Sequence, residues 1–135
     1  MRTHPEVAVG AIVTYAEQLL LVQRGPGAGA GRWAVPGGRV ERGETLAEAV
    51  VRELHEETGL HGVCGRFVGW AEIIDEHLHA VLLDFEVDLL EFGEPVAGDD
   101  ARDARWVPLG EVASMDLVPG MAEFLAEHRF IDTIV

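Results

Sequence analysis

One long helical stretch interrupts the strands that make up most of this chain. In residues 45–58, TLAEAVVRELHEET, the apolar positions Leu46, Ala49, Val50 and Leu54 recur at helical spacing. Glu44 or Thr45 starts the helix, and Gly59 stands where a left-handed C-terminal residue is expected. Before it, EVAVGAIVTY (6–15) and QLLLVQR (18–24) read as two strands joined by a tight turn at Ala16-Glu17. GPGAGAG (25–31) is loop, and RWAVPGGRV (32–40) is a short strand broken at Pro36-Gly37-Gly38. After it, 62–74 and 78–90 are long strands around the polar turn 75–77. A turn-rich acidic segment (91–103), a short apolar run (104–109) and helices near 110–114 and 119–129 complete the chain. Strands with one crossover helix between them and a terminal helix predict an α/β sandwich with a mixed sheet, in a single domain over 1–135.

The helix carries a problem. With Glu53 at zero and about 100° per residue, Glu56 falls near about −60° and Glu57 near about +40°. Leu46, Ala49 and Val50 project into the same sector. The three carboxylates therefore extend the apolar stripe instead of facing solvent, and they do so at the negative end of the helix dipole. A solvated acidic face explains this badly. A divalent cation explains it: clustered oxygen ligands without His or Cys suit Mg²⁺ or Mn²⁺.

Charge sharpens the point. Ten basic against 24 acidic residues give −14, which repels nucleic acid polymers and anionic membranes. A phosphorylated small molecule can still bind if metal ions bridge it to the carboxylates. Cys64 is the single cysteine, so neither an intramolecular disulfide nor a thiolate cluster can form; with no clean signal segment, a cytoplasmic protein is expected. Arg52 precedes the cluster, with Glu44 eight residues earlier; spacing alone leaves open a surface arginine or a pair with Glu44. Trp33 and Trp106 are candidates to stack on a base or to fill core. The apolar first strands offer a surface for a homodimer.

Gly38, five residues, Glu44, seven residues, then RELHEETGL (52–60) resembles the Nudix signature at every specified position, with Leu54 and Leu60 at its aliphatic sites. WAVPGG before this box (38–60) and ARWVPLGEV after it resemble MutT-like members. The resemblance implies an α/β/α sandwich with a mixed central sheet and a loop–helix–loop catalytic box. It implies Mg²⁺-dependent hydrolysis of a nucleoside diphosphate linked to another moiety, by in-line attack of water. Glu53, Glu56 and Glu57 would bind the metal, helped by the carbonyl of Gly37. Arg52 would pair with Glu44, and Gly38 and Gly59 would shape the box. The general base would be Glu53, or an acid of the later loop holding Glu94, Asp99, Asp100 and Asp103, with Asp100 favoured among these. Arg24 and Arg39 would contact phosphate, and Trp33 would meet the substrate.

Selectivity lies outside the box. The proline that ADP-ribose-specific members commonly carry about fifteen positions after it is absent, Asp75-Glu76-His77 standing there instead. The tyrosine typical of diadenosine-polyphosphate members is also missing, since Tyr15 lies far upstream. These features place a (d)NTP-type substrate ahead of ADP-ribose or another nucleotide sugar. The alternative is a non-catalytic nucleotide-binding module, which usually loses box glutamates; here none is missing.

Overall fold

The computed structural model describes residues 4–27, 29–98 and 100–132. The strands are β1 (Glu6–Ile12), β2 (Thr14–Tyr15), β3 (Gln18–Arg24), β4 (Trp33–Ala34), β5 (Gly37–Arg39), β6 (Gly62–Ile74), β7 (His79–Leu89) and β8 (Ala101–Pro108). The helices are α1 (Leu46–Thr58), α2 (Leu109–Val112) and α3 (Met121–Glu127). The mixed sheet has order β5-β1-β7-β6, with β1 and β7 parallel and the other pairs antiparallel. A second, antiparallel sheet is built on β3, which pairs with β2, β4 and β8.

Two stretches that read as single strands are each divided between the sheets. The run 6–15 breaks at the buried Val13: β1 joins the mixed sheet, while Thr14 and Tyr15 fold back on β3. The turn is made by Ala16 and Glu17, both at positive φ (49° and 62°). Likewise Trp33–Ala34 pairs with β3 and Gly37–Arg39 with β1, the chain crossing at Val35-Pro36. The Pro36 carbonyl accepts from the Ala11 N–H at 2.8 Å, so the proline breaks one sheet and still serves the other. Residues 101–103, the end of the acidic segment expected in a turn, instead open β8, where Asp103 pairs with Gln23.

α1 begins as its sequence dictates. The Thr45 hydroxyl accepts from the Glu48 N–H and the Glu48 carboxylate accepts from the Thr45 N–H, a reciprocal capping box. Gly59, at φ 74°, ends the helix and donates its N–H to the His55 carbonyl. Ala49, Val50 and Leu54 pack against Val9, Ala11, Val13, Leu20 and Val87. Burying Leu54 alone is worth about 2 kcal/mol. A second core cluster, from Ile12, Leu19, Leu21, Trp33, Val35, Val68, Val107 and Leu125, forms on the other face of β1. Of the apolar first strands, expected to offer a surface to a second copy, β1 lies between β5 and β7 and Leu19, Leu20 and Leu21 on β3 are fully buried, while Val7 and Tyr15 stay exposed.

Candidate active site

The last two turns of α1 face β5, and a glycine makes the approach possible. A Cβ on Gly38 would lie 2.5–2.8 Å from the Glu53 carboxylate, so any other residue would push that side chain out. Gly37 contributes its backbone, its N–H donating to Glu57 Oε1 at 2.7 Å. These are the glycines at the break in the 32–40 stretch. Their role is close approach, since neither adopts positive φ.

Arg52 organises the remaining carboxylates. Its Nε and Nη2 both donate to Glu44, with Nη2 at 2.9 Å from Oε1, a bidentate pair. Its Nη1 donates to Glu53 Oε1 at 2.6 Å and Glu56 Oε2 at 3.1 Å, and its Nη2 also reaches the Arg39 carbonyl at 3.0 Å. The alternative left open by spacing is thereby resolved: Arg52 is no ordinary surface arginine. Glu44 can reach it because it sits in the loop before the helix, where its carboxylate also accepts from the Glu41 N–H.

The electrostatics follow. The Arg52 hydrogen bonds hold the Glu44 carboxyl down to about 2, and Glu44 in turn raises the Arg52 guanidinium above its ordinary range. Glu53 moves the other way. Burial raises its carboxyl more than Arg52 lowers it, and Glu56 adds repulsion. The Glu53 side chain is 15% exposed and that of Glu56 37%, so the cluster grades from enclosed to open.

Among the described residues no three His, Cys, Asp or Glu side chains already form a cage for an ion. Glu53 and Glu56 meet on the guanidinium while Glu57 turns to Gly37. The donor set nevertheless fits a hard divalent cation: carboxylate oxygens at one helix end, two of them already sharing a positive charge. The fit extends to the backbone, because the glycines keep β-carbons out of the approach.

Other expected residues stand as follows. Arg24 ends β3 at the stem of the glycine loop, where Gly29 packs against its side chain. Arg39 is exposed on β5 and pairs with Glu6 at 3.6 Å. Asp100 is exposed; its backbone carbonyl packs against Gly25, and the preceding chain is tied to α1 by the Gly98 N–H, which donates to the Glu57 carbonyl at 3.2 Å. The later loop is therefore carried to the carboxylate end of the helix. Asp99 lies outside the described residues, Glu94 is exposed, and Asp103 is engaged by Arg105 at 2.9 Å.

Trp33 is corrected. It is 6% exposed, packed in the second core cluster, and the Arg105 guanidinium lies 4.8 Å from its ring centre, so it does not offer a free face to a substrate. Trp106 is half-buried, donates its indole N–H to the Gly93 carbonyl at 2.9 Å and stacks with Phe92. One residue escaped the sequence reading. Asp84, in the apolar strand HAVLLDFEVDL, is 8% exposed. An acid inside an alternating apolar strand was the available signal.

Comparison with known proteins places the family. The NUDIX domain family model matches residues 4–128. An ADP-ribose pyrophosphatase of Methanocaldococcus jannaschii is 39% identical over 114 residues, covering 83% of this chain and 67% of that protein. A putative 8-oxo-dGTP diphosphatase 2 of Mycobacterium tuberculosis is 39% identical over 123 residues, covering 90% and 85%. The crystal structure of a MutT protein from Methanosarcina mazei superposes with a TM-score of 0.83 at 25% identity, over 96% of both chains. The chain belongs to the Nudix family and is a hydrolase of that family.

Proposed function

We propose that this protein hydrolyses the diphosphate of a nucleoside diphosphate derivative with Mg²⁺, Mn²⁺ serving as a substitute, and that (d)NTP-type substrates are turned over ahead of ADP-ribose. The observation that carries the reading is the carboxylate end of α1, where Arg52 gathers Glu53 and Glu56 and Gly37 holds Glu57. The names of the two 39%-identical relatives, one an ADP-ribose pyrophosphatase and one a putative 8-oxo-dGTP diphosphatase, support a nucleotide substrate and divide over which one. The absence of the ADP-ribose proline tips the choice.

Glu53, Glu56, Glu57 and the Gly37 carbonyl would hold the cation; when bound, it neutralises diphosphate charge and makes water acidic enough to attack. The protein's own groups set the rest. Arg52, locked by Glu44, fixes the rotamers of Glu53 and Glu56. Arg24 and Arg39 bind phosphate oxygens, holding the anhydride for in-line attack. Glu53 or Asp100 takes the proton from the attacking water as the new P–O bond forms and the anhydride P–O bond breaks, its electron pair leaving on the departing phosphate.

The test is release of phosphate and nucleotide from dNTPs, 8-oxo-dGTP, ADP-ribose, GDP-mannose and dinucleoside polyphosphates, with and without Mg²⁺. Turnover is expected only with the metal, and highest on a triphosphate. Folded, Mg²⁺-loaded protein that turns over nothing in the panel overturns the reading.

A further inference from the structure

The face of the mixed sheet turned away from α1 holds a carboxyl that the hydrolytic site does not use. Gly37, Gly10, Asp84 and Gly69 are register partners in that order across β5, β1, β7 and β6. Asp84 is thus the only side chain in a row that begins at the box glycine. A Cβ on Gly10 would collide with Asp84 Oδ1, so the carboxyl lies over β1, leaning toward the box. A Cβ on Gly69 would lie 2.8 Å from the His128 ring, which closes the far end of the row.

No hydrogen-bond donor and no cation among the described residues engages the Asp84 carboxyl. Burial alone acts on it, raising it to about 6. No fully enclosed side-chain oxygen among the described residues lacks a partner, so the Asp84 oxygens reach the surface. An acid that is nine-tenths buried, unpaired and still reachable is costly unless something donates to it.

The neighbouring rows on this face say what shape that something has. Arg39, Ala8, Leu82 and Ala71 form the next row, and Ala80 and Ile73 continue beyond it. This is a flat apolar floor with Asp84 at its inner end and Arg39 at its rim. Two inter-strand steps, on the order of 10 Å, separate Gly37 from Asp84, a distance comparable to the reach from phosphate to base in a nucleotide. Of the other charged groups of this face, Glu6 pairs with Arg39 and Glu86 with Arg66 at 3.0 Å, while Asp88 lies farther along β7, exposed beyond Glu86. His128 is stacked at a tilt on Phe124.

We propose that Asp84 reads the substrate's base, its two oxygens accepting the adjacent ring N–H and exocyclic amino group of a guanine-type edge. An ionised carboxylate only accepts, and among the common bases guanine alone presents two adjacent N–H donors. The inference rests on the nucleotide reading above and assigns its base.

The experiment compares kcat/KM for dGTP, dITP (which lacks the exocyclic amino group) and dATP, for wild type and Asp84→Asn, with Mg²⁺ at pH 7.5. Wild type should prefer dGTP over dITP by about 10- to 100-fold, the loss of one hydrogen bond to a charged acceptor. In Asp84→Asn that ratio should fall to near one. In wild type the ratio should grow as pH rises through about 6, while in the variant it stays flat. Equal loss on all three substrates in the variant, or no dGTP preference in wild type, overturns the assignment and leaves the hydrolase reading intact. If wild type turns over no nucleotide, both fall together.

Discussion

The two places where this acidic chain concentrates carboxylate chemistry are built on opposite principles. At the end of α1, four glutamates share one guanidinium and two backbone N–H groups, and each is held by a bond visible in the structure. On the opposite face of the mixed sheet, Asp84 is more deeply buried than any of them and has no donor among the described residues. A compensated cluster can stand ready before substrate arrives. An uncompensated carboxyl is kept at a cost in stability, and its natural donor is a ligand. On the reading proposed above, the contrast separates a group that supports the reaction from one that selects what reacts.

Removing the charge of Glu57 tests the first half most severely. Glu57→Gln keeps an oxygen to accept from the Gly37 N–H, so the fold should be unchanged, yet it loses a ligand charge. Turnover should drop by about 1000-fold at saturating Mg²⁺. Wild-type turnover in this variant, measured by phosphate release, would show that the cluster is not the metal site. Melting without metal should be unchanged or slightly higher, because one repulsive charge leaves the helix C-terminus.

Arg52→Ala breaks the compensation itself. It strands the enclosed Glu53 without a partner, which in buried pairs costs about 3–5 kcal/mol. Arg52 retains 23% side-chain exposure, so solvent screens part of this and about 2 kcal/mol is expected in urea unfolding, with the slope unchanged. Mg²⁺ should then stabilise the variant more than it stabilises wild type, since the ion would supply the missing positive charge. Equal stabilisation of both would mean that cation and guanidinium act at separate places.

The two sites also differ in how much of them a sequence carries. The glutamate cluster was legible because a helix is a local object: the spacing of Glu53, Glu56 and Glu57 fixes their common direction whatever surrounds them. Thr45, Gly59 and the long strands β6 and β7 were legible for the same reason, and the mixed sheet from the order of strands and crossover helix. The divided strands were not. At Val13 and at Val35-Pro36 the chain changes sheets at buried residues, and the apolar runs carry no local signal that marks the crossing. Trp33 could not be assigned between core and substrate, since an aromatic ring serves either and only the packing of Arg105 and the second cluster decides. Asp84 was the least legible: what makes it unusual is its alignment with Gly37, Gly10 and Gly69, residues dispersed over sixty positions of sequence and brought into one row by register across four strands.

Asp84→Asn tests the second half, with a smaller effect and a diagnostic sign. The folded carboxyl titrates near about 6, above its ordinary 3.8. Folding therefore favours the protonated form, and the stability this contributes is complete below about pH 4 and lost as pH rises through about 6. A shift of this size corresponds to about 3 kcal/mol as an upper bound, and partial solvent access reduces the expected loss to about 2 kcal/mol. Wild type should thus become less stable relative to Asp84→Asn between pH 4 and pH 7, by urea unfolding without nucleotide, with the two most alike at pH 4. A guanine nucleotide should narrow the gap at pH 7, because its donors supply to the carboxylate what the fold withholds. The opposite slope, with wild type gaining on the variant as pH rises, would mean that a donor reaches Asp84 in the free protein. The contrast between the two carboxylate sites would then collapse.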